Sequence, residues 1–100
     1  MSDKVSVEKD LEDLIPGFLE NRHKDVLELR VLIQNRNVVE ISKIGHRLKG
    51  TCGGYGFAKL SELGKVLEGA GKESDFSAIE TALGAIEAHL SHLTIEYVES

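Results

Sequence analysis

The chain has one cysteine, one proline, no tryptophan, and no apolar run near the roughly 20 residues that span a bilayer. Each shortage removes a class of protein. Cys52 alone can neither close an internal disulfide nor build a multi-cysteine metal site, which fits a reducing compartment. Met1 to Asp10 carries Asp3, Glu8 and Asp10 and lacks the basic start and apolar middle of a secretory signal, so a cytoplasmic location without membrane attachment is expected. No G-x-x-x-x-G-K loop and no carboxylate grouping suited to magnesium is visible, so neither a nucleotide site nor any cofactor is expected. Positive charge is also short: 12 basic against 17 acidic residues leave a net charge of -5. That balance argues against nucleic acid as a partner, because phosphate backbones need a basic surface.

What is present is a helical pattern from end to end. One hundred residues, 41% of them hydrophobic, suffice for one compact domain over residues 1–100, and Met1 favours a free-standing protein. Val7 to Leu14 is expected to form a short first helix. Pro16 suits the first turn of a second, which carries Phe18, Leu19, Val26, Leu29, Leu32 and Ile33 at helical spacing to about Asn35. Asn37 with Glu40 reads as a capping box opening a third, whose stripe is Ile41, Ile44, Leu48, Cys52 and Tyr55. Glycines 53, 54 and 56 end or kink it. A fourth repeats Phe57, Leu60, Leu63, Leu67 and Ala70 and stops at Gly71 as a left-handed cap, and a fifth, capped by Ser74 or Asp75, carries Phe76, Ile79, Leu83, Ile86, Leu90, Leu93 and Tyr97. No alternating run long enough for a sheet is apparent. The expected fold is therefore all-α: an antiparallel up-and-down four-helix bundle with a short N-terminal extra helix. Four amphipathic helices can bury the last helix's seam within one chain, so a monomer is expected in preference to a coiled-coil dimer.

Projected at 100° per residue, His46 falls on the face of the third helix opposite its apolar stripe, roughly 160° from the stripe's centre. Ser42, Lys43, Gly50 and Gly53 surround it, with Lys49 one turn along. Glycine inside a helix costs about 0.5–1 kcal/mol relative to alanine, so glycines gathered beside one histidine need a reason. Access is one: Gly50 and Gly53 leave the imidazole uncovered, while Lys49 and Lys43 balance the charge of a phosphoryl group placed on it. Imidazole keeps a neutral, nucleophilic form near neutral pH, with one nitrogen free to attack while the other holds its proton.

His46-Arg47-Leu48-Lys49-Gly50, followed after five residues by Gly56, resembles the core pattern of the histidine-containing phosphotransfer (HPt) domains of bacterial and plant phosphorelays, and the resemblance runs from about Leu11 to Tyr97. It implies a four-helix bundle in which His46 is phosphorylated, Lys49 is the phosphate's charge partner and Gly50 keeps access open. Departures are mild: Gly45 stands where alanine is common, and Tyr55 occupies a usually aliphatic position. The implied partners are response-regulator receiver domains and a hybrid histidine kinase, the receiver bringing its own magnesium ion. The implied activity is reversible phosphoryl transfer between a receiver aspartate and the His46 ring nitrogen remote from the backbone. Such a protein is a phosphocarrier, not an enzyme with its own nucleotide site. The alternative is a docking or inhibitory module that binds a receiver or kinase without carrying phosphate.

Other residues read as structural. His23, between Leu19 and Val26, is expected at the core edge with a satisfied hydrogen bond. His89 and His92 lack a third ligand, so no metal site is expected, and Cys52 reads as a small buried hydrophobe. Leu11, Ile15, Gly56 and Phe57 are candidates for an apolar docking surface near His46.

Overall fold

The computed structural model describes residues 3–99. Met1, on which the free-standing reading rests, lies outside the described residues. The chain forms a mainly helical compact domain with four α-helices, α1 (Ile15–Gln34), α2 (Val38–Gly54), α3 (Ala58–Lys72) and α4 (Phe76–Ser91), plus a parallel pair of strands, β1 (Asp3–Glu8) and β2 (Leu93–Val98). No helix among the described residues is long and apolar enough to cross a membrane.

Local chemistry sets the helix limits. Pro16 stands in the first turn of α1, where its missing N–H costs nothing. The Asn37 side chain accepts from the Glu40 N–H at 3.2 Å to open α2, and Asp75 accepts from the Ala78 N–H at 3.1 Å to open α4. Left-handed residues close the turns: Arg36 (φ 57°), Gly56 (φ 88°) and Ser74 (φ 55°). Gly71 is therefore not the expected left-handed cap. It lies inside α3, where a Cβ would stand 3.0 Å from the Ser42 backbone nitrogen.

Both chain ends differ from the all-helical expectation. The expected first helix over Val7–Leu14 is a single 3-10 helix at Lys9–Leu14, and Val7 belongs to β1. The expected last helix stops at Ser91, and Leu93 and Tyr97 belong to β2, which runs beside β1 from Asp3↔Leu93 to Glu8↔Val98. The physical reason lies in the alternation. Val5 and Val7 point inward and are buried while Lys4, Ser6 and Glu8 are exposed, and Leu93, Ile95 and Tyr97 alternate with Thr94 and Glu96. Asp3 holds this end closed: its carboxylate accepts from His89 Nδ1 at 2.7 Å and from Lys59 Nζ at 3.3 Å, and its N–H donates to the His92 carbonyl at 2.8 Å. The His89 bond, reinforced by Lys59, holds the Asp3 carboxyl below its ordinary value.

The core runs through Ile15, Phe18, Val26 and Leu29 of α1, Ile41, Ile44, Leu48 and Cys52 of α2, Leu60, Leu67 and Ala70 of α3, and Ile79, Leu83 and Ile86 of α4. α2 and α3 approach most closely. A Cβ on Gly45 would stand 2.5 Å from the Glu68 nitrogen, and one on Gly64 would stand 2.7 Å from the Lys49 nitrogen. Here the helices touch backbone to backbone. Two hydroxyls tie the same crossing, Ser42 Oγ donating to the Glu68 carbonyl at 3.1 Å and Ser61 Oγ to the Lys49 carbonyl at 2.7 Å.

Candidate functional site

The close crossing of α2 and α3 places Glu68 beside His46. His46 has its side chain 69% exposed, on the face of α2 away from Ile44 and Leu48, and its Nδ1 lies 2.9 Å from Glu68 Oε2. Glu68 is itself mostly covered. Lys49 Nζ reaches Glu68 Oε1 at 3.3 Å and Lys72 Nζ reaches Oε2 at 3.7 Å, so two ammonium groups balance one carboxylate. Desolvation works against the charge on Glu68, but hydrogen bonds from Lys49 and His46, with the charge of Lys72 close by, outweigh it and hold the carboxyl below its ordinary value. A carboxylate at Nδ1 favours the tautomer with its proton there and leaves Nε2 as the bare nitrogen.

Each sequence candidate has a definite place. Lys49 joins His46 through Glu68, whereas Lys43 pairs with Glu40 at 3.3 Å on the same helix. Gly50 is exposed, and a Cβ there would meet nothing within 4 Å; one on Gly53 would only graze Ser61 Oγ at 3.4 Å. Beyond Lys43 a groove between the helices is lined by Val38, Val39, Ser42, Lys43, Gly71 and Lys72, with Val39 exposed at its rim. Two of the residues offered as an apolar docking surface do not qualify: Phe57 and Ile15 are fully buried in the core. Leu11 is half-buried and Gly56 exposed, on the turn side of β1.

The histidines separate. His23 is exposed, not at the core edge, and lines a groove with Val26, Leu27, Arg30 and Glu87. Its helix buries a stripe that passes through Arg22 and Asp25, and this turns His23 outward. His89 is buried against Asp3 while His92 caps α4 in solvent. Among the described residues no three His, Cys, Asp or Glu side chains gather to hold a metal ion. Cys52 is buried, and desolvation pushes its thiol up to about 11 even with Arg22 beside it, which keeps the thiolate scarce near neutral pH.

Two features escaped the sequence reading. Glu68 lies 22 residues from His46, and its only sequence sign is its place between Gly64 and Gly71 on the small-residue face of α3, with Lys72 four positions on. The other is an ionic triad between α1 and α2 in which Arg22 and Asp25 are buried: Arg22 Nε donates to Asp25 Oδ2 at 3.0 Å, and Arg47 Nη2 donates to Asp25 Oδ1 at 2.6 Å. Arg47 follows His46 in α2 but is half-exposed and pairs with α1, whereas His46 pairs with Glu68 of α3.

Compared with protein-family models, with curated proteins and with solved structures, the chain matches none.

Proposed function

We propose that the chain is a cytoplasmic histidine phosphotransfer protein of a two-component phosphorelay, built as an antiparallel up-and-down four-helix bundle. It takes a phosphoryl group on His46 from a receiver-domain aspartate and passes it to another receiver. The observation that carries the reading is the exposed imidazole whose Nδ1 is held by Glu68 on the neighbouring helix. With Nδ1–H donating to Glu68, Nε2 attacks the phosphorus of the receiver's aspartyl phosphate. The Nε2–P bond forms as the P–O bond to aspartate breaks, the released carboxylate keeps the electron pair, and the Nδ1 proton stays shared with Glu68. Transfer of this kind demands alignment and charge neutralisation more than covalent help. Glu68 supplies the first, and Lys49 and Lys72, both held at Glu68, supply the second. Open space around Gly50 fits an approaching partner surface. The magnesium ion and the acyl phosphate belong to the partner.

Incubation with a phosphorylated receiver domain is expected to label the chain with an acid-labile, base-stable phosphate, and His46→Gln to abolish the label with an unchanged helical spectrum. Labelling that persists in the variant overturns the assignment. A wild-type chain that binds receivers but never takes label would be a docking module instead.

Glu68→Ala frees the ring to rotate and to exchange tautomers, while the backbone carbonyl that holds Ser42 stays in place. Single-turnover transfer should slow by roughly tenfold or more, as expected when the group orienting a catalytic imidazole is lost. An unchanged rate would show that Glu68 does not orient the nucleophile.

A further inference from the structure

The parallel pairing of β1 with β2 spends only one edge of each strand. The Asp3 N–H donates to the His92 carbonyl at 2.8 Å, with Asp3 beside Leu93. The alternation of a parallel ladder then commits the backbone groups of Thr94 and Glu96 to β1 and turns those of Leu93, Ile95 and Tyr97 outward. On β1 the outward groups face the α2–α3 turn, where the Ser6 carbonyl is 3.3 Å from the place of a Cβ on Gly56. On β2 they meet no such backbone partner. Among the described residues, no backbone hydrogen bond outside the helices and the strand pair involves Leu93, Ile95 or Tyr97.

The side chains agree with the backbone. Paired residues share a face of the sheet, and Val5 and Val7 of β1 are 8% and 1% exposed, yet their neighbours Ile95 and Tyr97 are only partly buried. β2 overhangs the core. The edge strand is regular over six residues, with no proline, no lysine and no break in register, and Glu96 is the one charge in it that restrains edge pairing.

We propose that a second copy of this chain pairs on that edge, β2 antiparallel to β2, about a two-fold axis at Ile95. Symmetry and charge select the register. Centred on Ile95, the pairing sets Ile95 opposite Ile95 of the second copy, Leu93 opposite Tyr97 and Thr94 opposite Glu96, so each outward residue exchanges both of its backbone bonds. Centring on Glu96 would set two carboxylates directly opposite each other, which is unfavourable, and centring on Thr94 would carry Tyr97 beyond the strand to Ser91. In the Ile95 register Glu96 keeps its 2.6 Å pair with Lys4 of its own chain. The half-buried apolar stripes of the two copies meet on the helix-facing side, and a marginal two-stranded pair becomes a four-stranded sheet. The monomer expected from the helical seam gives way to a two-fold dimer joined at its chain ends.

Analytical ultracentrifugation of the full chain is expected to show the mass rising with concentration to twice that of the monomer. Ile95→Pro, which removes the outward N–H and trims a half-buried side chain while leaving every hydrogen bond to β1 in place, should hold the monomer mass at every concentration with an unchanged helical spectrum. Should that variant fail to fold, single cysteines decide, since Cys52 is buried. Ile95→Cys should cross-link under mild oxidation at least about tenfold faster than Glu96→Cys, because only facing residues meet the spacing a disulfide needs. Monomer mass throughout, a dimer untouched by Ile95→Pro, or equal cross-linking at the two positions would overturn the proposal.

Discussion

Gly45→Ala should destabilise the protein even though alanine is the better helix former. The helix gain is about 0.5–1 kcal/mol. Against it, the new methyl would stand 2.5 Å from the Glu68 nitrogen, 2.7 Å from the Gly64 oxygen and 2.9 Å from the Glu68 Cα. All three are backbone atoms, so no rotamer relieves the clash and α3 itself must shift. Overpacking of this kind costs about 1–3 kcal/mol and sometimes more, so the net loss should be about 1–2 kcal/mol. In a domain of this size that lowers Tm by roughly 10 °C. The shift also carries Glu68 away from His46, and the proposed phosphoryl transfer should slow with it. Gly50→Ala is the matched control: its methyl meets nothing within 4 Å, so it should raise stability by about 0.5–1 kcal/mol. Urea titrations of both variants check the pair of signs. A stabilised Gly45→Ala would show that α2 and α3 are not in backbone contact.

Those two glycines mark where sequence reading runs out. The four helices were readable because Ile41, Ile44, Leu48 and Cys52, or Ile79, Leu83 and Ile86, recur at three- and four-residue steps, and because Pro16, Asn37 and Asp75 punctuate them. His46 was readable as exposed for the same reason. Whether a glycine near it serves access or packing was not, since that depends on the backbone of α3, and no local pattern records how two helices align. Glu68 went unseen for the same cause. At the C-terminus two periods overlap: Ile86, Leu90, Leu93 and Tyr97 continue a helical seam, while Leu93, Ile95 and Tyr97 alternate as a strand. Pairing with β1 decides between them, through the tie that Asp3 makes to His89 and His92. On α1 the buried stripe includes Arg22 and Asp25, residues that a hydrophobicity pattern assigns to the solvent side.

That buried pair underlies the second large effect. Arg22 and Asp25 are each 6% exposed, and Asp25 accepts from Arg22 and from the half-exposed Arg47. Asp25→Ala leaves the Arg22 guanidinium, whose carbon lies 4.8 Å from the Phe18 ring centroid, without its carboxylate. Removing one partner of a buried ion pair costs about 3–5 kcal/mol, chiefly because the other charge stays desolvated and uncompensated. Replacing both by apolar side chains of similar volume removes that penalty at its source. The double variant Arg22→Met, Asp25→Leu should therefore lie within about 1–2 kcal/mol of the parent, far above the single variant. Both variants also free Arg47 from its anchor on α1, one residue from His46. The double variant should still fold well and keep the rate of the proposed phosphoryl transfer, because the His46–Glu68 pair loses no partner. Chemical denaturation and single-turnover transfer on the same three proteins read the two effects independently. A loss below about 1 kcal/mol for Asp25→Ala would mean that Arg22 finds water or another acceptor when its carboxylate is gone.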